Sequence, residues 1–212
     1  MALTNYQDLV TSVSDWLAAE ELVPRVPDFI SLAEAQFNRR LRTRDQHTRV
    51  TADAAAQFVT LPTDFLELIG VQVNTSPPAR LQQSTESQLD DLRNANDSTG
   101  TPTHFAVLGS NLELYKTPSS TTEIEITYYK KVTALTASAP TNFLLTSHPD
   151  IYLYGALTAA EPYLGNDNRL STWNALLERG VEELRTADDR AESGNAPLVM
   201  RAENRLDYGQ WK

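Results

Sequence analysis

Apolar residues at helical spacing predict two helices near the start of the chain. Residues 5–19 and 27–43 are expected to form them, with a turn at Pro24 and Pro27 between the two. Thr4 followed by Gln7 matches the capping-box pattern of a helix start. The inner stripe of the first helix comprises Leu9, Val10, Val13, Trp16 and Leu17. That of the second comprises Phe29, Ile30, Ala33, Phe37 and Leu41.

The pattern changes to that of strands between residues 47 and 140. Strands are predicted at 50–52, 57–61, 66–74, 103–108, 111–115 and 123–131. In the last of these, Ile124, Ile126 and Tyr128 alternate with polar or amphipathic residues, as a half-buried strand requires. Gly109 and Ser110 indicate a tight turn between two strands. A short helix over 85–93, capped by Ser84, and a polar loop over 94–102 interrupt the strands.

The segment 141–157 combines a loop, a helix start and the first turns of an apolar helix. Ser147 is a candidate helix cap, Pro149 suits the first turn, and Asp150 complements the positive end of the helix dipole. One helix is predicted over 149–164, and a second over 168–192 after a break at 165–167. The inner stripe of that last helix comprises Leu170, Trp173, Leu176, Leu177, Val181 and Leu184.

Together these elements predict a mainly α protein with an inserted β part. We expect a bundle of about four long helices, built from residues 1–46 and 141–194. A small antiparallel β subdomain, residues 47–140, is inserted into this bundle. Residues 195–212 are expected to form an extended C-terminal tail.

Composition limits the possible functions. The chain has 212 residues, no cysteine and a formal net charge of −10, so thiolate chemistry is excluded and DNA binding is not expected to be its main role. No apolar stretch approaches the roughly 20 residues of a membrane span, and the N-terminus does not resemble a signal peptide. The absence of cysteine is compatible with a reducing cytoplasm.

No residue pattern predicts a catalytic, metal or cofactor site. No two of His47, His104 and His148 have the spacing of a helical metal site. Ser147, His148 and Asp150 contain the residue types of a hydrolytic triad, but neighbours in sequence cannot form its relay, so the helix-start interpretation is preferred. Trp16 and Trp173 fall in helical stripes and are expected in the core.

Two segments are candidate partner interfaces. The first is a group of arginines, Arg39, Arg40, Arg42, Arg44 and Arg49. It can be a solvated last turn that complements the helix dipole, a contact with an acidic neighbouring protein, or a direct contact with DNA. The second lies in the tail, which either folds back on its own body or docks on a partner. Its candidate anchors are Met200, Arg201, Arg205, Tyr208 and Trp211.

Four segments in order carry a resemblance to a known family. They are residues 28–42, residues 61–68, residues 124–129 with the region of Leu135, and the run 141–157. The chain resembles the head-to-tail adaptors of tailed bacteriophages, which lie under the portal of podovirus-like virions.

The resemblance implies a non-enzymatic structural protein of the virion neck. It implies a ring of twelve copies that docks under the dodecameric portal, extends the DNA channel without sequence-specific binding, and presents a platform for nozzle or tail-tube proteins. It also implies manufacture and assembly in the host bacterial cytoplasm, with no cofactor and no membrane. The alternatives are a binding module for another phage or host protein, and an acidic helical-bundle enzyme.

Overall fold

Helices form both ends of the part of the chain that the structure describes. The computed structural model describes residues 3–165 and 168–193. The helices are α1 Tyr6–Leu17, α2 Val26–Arg40, α3 Glu86–Ala95, α4 Phe143–Ser147, α5 Pro149–Ala159, α6 Glu161–Leu164 and α7 Arg169–Ser193. Two short 3-10 helices, Glu20–Arg25 and Arg44–Gln46, flank α2. No helix in these two ranges is both long and apolar enough to cross a membrane.

Two four-stranded sheets lie between the helical segments. Their strands are β1 His47–Ala54, β2 Phe58–Thr60, β3 Phe65–Val73, β4 Ala79–Arg80, β5 Gln82–Gln83, β6 His104–Leu108, β7 Asn111–Tyr115 and β8 Thr122–Lys130. Sheet A has the order β1-β8-β3-β4, and sheet B has the order β2-β7-β6-β5. The β5–β6 pair is parallel, whereas the other pairs are antiparallel.

The predicted bundle of about four long helices is therefore wrong. The helix expected over 149–164 ends at Ala159, and α6 is a separate helix of 4 residues. Pro162 explains the break, because proline has no N–H to donate and its ring clashes with the carbonyl four residues earlier. The segment before Pro149 forms its own short helix, α4, which the sequence did not indicate. The antiparallel β subdomain is likewise corrected to two sheets, one of which contains a parallel pair.

Three of the predicted helix caps are wrong by one or more residues. Asn5, not Thr4, caps α1 by accepting a hydrogen bond from the N–H of Asp8. Thr85, not Ser84, caps α3, and it forms a capping box with Gln88. Ser147 is the last residue of α4, and no side chain caps α5. Pro149 and Asp150 do lie in the first turn of α5, as predicted.

The helical residues form one apolar core. The predicted stripes of α2 and α7 are confirmed, since Phe29, Phe37, Trp173 and Val181 are buried. Phe37 and Tyr152 meet edge to face, with ring centroids 5.2 Å apart. Trp16 is the exception: its side chain is 44% exposed, so its assignment to the core is wrong.

The two sheets enclose a second apolar core. Ile124, Ile126 and Tyr128 face it from sheet A, which confirms the alternation read from the sequence. Phe105 and Leu114 face it from sheet B, and α3 covers the opposite side of that sheet through Leu89. The proposed boundaries at residues 46 and 140 stay a prediction.

A buried polar cluster fixes the segment that returns from the sheets to the helices. The carboxylate of Glu34 accepts hydrogen bonds from the N–H of Leu135 at 2.7 Å and from the hydroxyl of Tyr152 at 3.2 Å. Asn142 donates to the Tyr152 hydroxyl at 2.6 Å and also caps α4. Burial raises the pKa of Glu34, because the ionised carboxylate is poorly solvated there.

Candidate interface at the arginine belt

The five arginines singled out from the sequence lie where the helices meet the sheets. We call Arg39, Arg40, Arg42, Arg44 and Arg49 the arginine belt. Arg39 and Arg40 are in the last turn of α2, where cations complement the negative end of the helix dipole. Arg44 opens the 3-10 helix that follows, and Arg49 lies on β1. The belt thus covers the connection between the two apolar cores.

Arg40 joins α2 to α7. Its guanidinium donates to both carboxylate oxygens of Glu178, over 2.7 Å to Oε1 and 2.5 Å to Oε2. These hydrogen bonds lower the pKa of Glu178 and raise the pKa of Arg40. Arg185 adds a bond from its guanidinium to the backbone carbonyl of Arg40 at 2.7 Å.

Arg44 makes a second contact with α7. Its backbone N–H donates to both carboxylate oxygens of Asp188 at 3.1 Å, and its side chain lies 3.8 Å from the same carboxylate. Asp188 is largely covered, with a side chain 12% exposed, whereas the Arg44 side chain is 63% exposed. The contact therefore holds Asp188 in place while most of the Arg44 guanidinium stays open to solvent.

Two further belt arginines contact the sheets. Arg42 pairs with Glu67 on β3 at 2.5 Å and also donates to the carbonyls of Asn38 and Leu41. Arg49 lies 3.3 Å from Glu125 on β8. Glu125 in turn accepts a hydrogen bond from Gln72 at 2.8 Å.

Four of the five belt arginines therefore already face a carboxylate of their own chain. Arg39 is exposed and makes no ion pair with any residue in the described ranges. The belt stabilises the junction between helices and sheets, and its exposed part consists of Arg39 and the outer faces of Arg44 and Arg49. Its role toward a partner stays a prediction.

The tail anchors predicted from the sequence lie outside the described residues. This applies to Met200, Arg201, Arg205, Tyr208 and Trp211. The last described residues belong to the end of α7. Because Asp188 contacts Arg44, that end of α7 lies beside the arginine belt.

Two of the three histidines pack against tyrosine rings, and the third lies between two helices. His47 packs against Tyr129 with ring centroids 4.5 Å apart, and His104 packs against Tyr115 at 5.9 Å. His148 is the residue between α4 and α5. In the part of the chain that the structure describes, no group of three or more metal-ligating side chains comes together.

A set of exposed apolar side chains was missed by sequence reasoning. Trp16, Val23 and Tyr163 are 44%, 42% and 57% exposed. Trp16 continues the helical period of the buried stripe of α1, so the periodicity alone assigned it to the core. Tyr163 was placed in a long helix that Pro162 in fact interrupts.

Comparison with known proteins places most of the chain in one family. A family model described as SU10 adaptor protein matches residues 4–201, which include both cores and the whole arginine belt. A comparison with curated proteins found no match.

Proposed function

The chain belongs to the SU10 adaptor protein family, a family of phage head-to-tail adaptors, and on that basis we propose that it forms a ring beneath the portal of a tailed phage. The ring contains twelve copies, extends the DNA channel, and carries the nozzle or tail-tube protein on its far side. The protein is a structural component of the virion neck and performs no catalysis. It is made and assembled in the cytoplasm of the host bacterium.

The family match carries this proposal. It spans residues 4–201 and therefore is not a match to one motif. The sequence supports the same role, because a net charge of −10 suits a channel through which DNA must slide without adhering.

The arginine belt and the tail are the proposed contacts with the portal or with the next copy. Arg39 is the belt residue best placed for this, since it is exposed and carries no ion pair within the described ranges. Exposed parts of Arg44 and Arg49 extend the same positive surface. Met200, Arg201, Arg205, Tyr208 and Trp211 complete the contact, since aromatic residues and arginine are enriched at the energetic centres of interfaces.

The test is the mass of the complex with the portal protein of the same phage genome. Size-exclusion chromatography with light scattering should show the chain joining the portal at a saturating ratio of one copy per portal subunit. Arg39→Glu should weaken this binding by about tenfold or more, because a like charge replaces an attractive one.

Arg25→Glu is the matched control for the same charge change. Arg25 is exposed and pairs with Asp28 at the start of α2, the end of that helix opposite Arg39 and Arg40. It should leave portal binding unchanged. A chain that stays apart from its portal at every concentration, while binding another phage or host protein, would overturn the adaptor proposal and favour a binding module.

A further inference from the structure

The end of the helical part opposite the arginine belt exposes three large apolar side chains. Trp16 lies in the last turn of α1, Val23 lies on the 3-10 helix Glu20–Arg25, and Tyr163 lies on α6. Each is more than 40% exposed. Contiguous apolar surface with a polar rim is typical of protein interaction sites, and tryptophan and tyrosine are the residues most enriched at their centres.

The elements that carry these side chains are neighbours. The 3-10 helix follows α1 after two residues and leads directly into α2. Tyr163 packs on Phe29 in the first turns of α2, with ring centroids 5.3 Å apart. Trp16 packs on Tyr154 of α5 at 6.2 Å, and Arg169 at the start of α7 donates to the carbonyl of Trp16. We call this end of the molecule the helical tip.

The rim of the helical tip is acidic. It comprises four exposed carboxylates: Asp15, Glu20, Glu21 and Glu161. None of the four forms an ion pair with another residue in the described ranges. The cations nearby are engaged elsewhere, since Arg25 pairs with Asp28 and Arg169 lies over the ring of Trp173. The surface that fits the helical tip is therefore apolar and rimmed by lysine or arginine.

The helical tip and the arginine belt lie at opposite ends of two helices. α2 begins at the tip and ends at the belt, and its 15 residues span about 22 Å. α7 runs the same way, since Arg169 contacts Trp16 while Asp188 contacts Arg44. A partner bound at the belt and at the end of α7 beside it leaves the helical tip free.

A second copy of this chain matches the helical tip poorly. Its most basic region is the belt, where four of five arginines already face carboxylates of the same chain. With a net charge of −10 per copy, tips brought together would also repel each other. A different protein, with free cations around an apolar patch, is the better match.

We propose that the helical tip is the docking surface for the tail-side protein, which presents an apolar patch rimmed by cations. This inference rests on the proposed function, and of the two partners named there for the belt and tail, the portal or the next copy, it takes the portal. Trp16 and Tyr163 are the apolar anchors, and Glu20 and Glu21 set the charge complementarity. The adaptor thus uses its two ends for two different partners.

The experiment uses the adaptor assembled on its portal, to which the purified tail-side protein of the same phage is added. One variant combines Trp16→Ala with Tyr163→Ala, and a second combines Glu20→Lys with Glu21→Lys. Each should weaken binding of the tail-side protein by about tenfold or more. Binding to the portal should change by less than about twofold, because changes at distant sites act independently of each other.

Matched controls lie on other surfaces. Phe58→Ala removes an aromatic side chain of sheet B that is 49% exposed, and Glu182→Lys reverses an exposed charge on α7. Neither should affect binding of the tail-side protein. The melting temperature of each variant checks folding, and the charge reversal carries the test if the aromatic variant unfolds.

The outcomes separate this inference from the proposed function. Failure of the wild-type chain to bind the portal overturns the adaptor proposal. If the portal binds normally, two results overturn the inference. In one, the wild-type adaptor does not bind the tail-side protein; in the other, the tip variants bind it as well as the wild type does. Equal loss of portal and tail-side binding in the tip variants also overturns it.

Discussion

Arg40 and Glu178 face each other across α2 and α7 through two parallel hydrogen bonds. The two residues are 138 positions apart in sequence, and their pairing connects the first half of the chain to the last helix. A guanidinium and a carboxylate fit in this bidentate way because both groups are planar. The Arg40 side chain is 25% exposed and that of Glu178 is 51% exposed, so water screens part of the attraction.

Replacing Glu178 should destabilise the protein modestly. For Glu178→Ala we expect the free energy of unfolding to fall by about 0.2–1 kcal/mol, as for other solvent-exposed pairs. Arg40 lowers the pKa of Glu178, so this contribution is present above the usual value of 4.5 and is lost as pH falls through the folded-state value. A double-mutant cycle with Arg40→Ala, measured by urea unfolding, isolates the pair. A coupling energy of zero would contradict the prediction.

Glu34 should stabilise the folded protein as a hydrogen-bond acceptor. Glu34→Ala leaves the N–H of Leu135 and the hydroxyl of Tyr152 without their acceptor, which should cost about 1–3 kcal/mol. Glu34→Gln keeps an acceptor oxygen and should cost less. Urea unfolding at neutral pH compares the two variants, and an equal loss in both would contradict the acceptor role.

Glu34 should also make the stability of the protein depend on pH. Because burial raises the pKa of Glu34, the folded state holds its proton more tightly than the unfolded state does. The stability from this group is therefore complete below the usual value of 4.5 and falls as pH rises through the folded-state pKa. Glu34→Gln carries no such proton, so its stability relative to wild type should improve as pH rises above 4.5. A constant difference over that range would argue against it.

Gly155 should not tolerate a methyl group. A Cβ built there would lie 2.6 Å from Cζ of Phe37 and 3.3 Å from Cβ of Ala33, because α2 and α5 pack closely at this point. Gly155→Ala should lower the free energy of unfolding by about 1–3 kcal/mol, because the cost of overpacking exceeds the gain of about 1 kcal/mol from helix propensity. Thermal unfolding measures the effect. Gly180→Ala is the control, since its nearest contacts are 3.1 Å and 3.2 Å, and a larger loss there would contradict the packing argument.

Tyr128 should make the protein sensitive to alkali. Burial, together with the hydrogen bond to Asp64 at 2.8 Å, raises the pKa of its hydroxyl to about 12. The folded state therefore keeps a proton that the unfolded state releases above its usual value of 10, and stability falls as pH rises from 10 to about 12. Tyr128→Phe should lose stability at neutral pH and then fall less steeply over this window. Identical slopes for both proteins would refute the assignment.

Ring assembly should depend on salt. Every copy carries a net charge of −10, so neighbouring copies repel at long range when screening is weak. Assembly on the portal should be faster near 0.1 M salt, where the screening length is about 10 Å, than near 0.01 M, where it is about 30 Å. Light scattering after mixing follows the rate. Acceleration as salt is removed would mean that attraction between opposite charges dominates instead.

Local patterns determined much of the secondary structure. The helical stripes of α2 and α7, that of α1 except for Trp16, and the alternation along β8 were read correctly, because burial of one face imposes a period on each element. Pro149 and Asp150 marked the start of α5 through chemistry that acts within one turn. The family membership was also recognisable, since its four segments occur in order along the chain.

The tertiary structure decided which side chains meet and which stay exposed. The strands β4 and β5 have two residues each, too few to carry a period. Nothing in the sequence matched Arg40 with Glu178 or Arg44 with Asp188, because partners so distant along the chain are chosen by helix packing. Trp16 has the period of a core residue, yet it lies in the last turn of α1 and is only partly covered, by Tyr154 of α5. The period of a sequence shows which residues lie on the same face of a helix or strand. Whether those residues are buried depends on which element packs over that face.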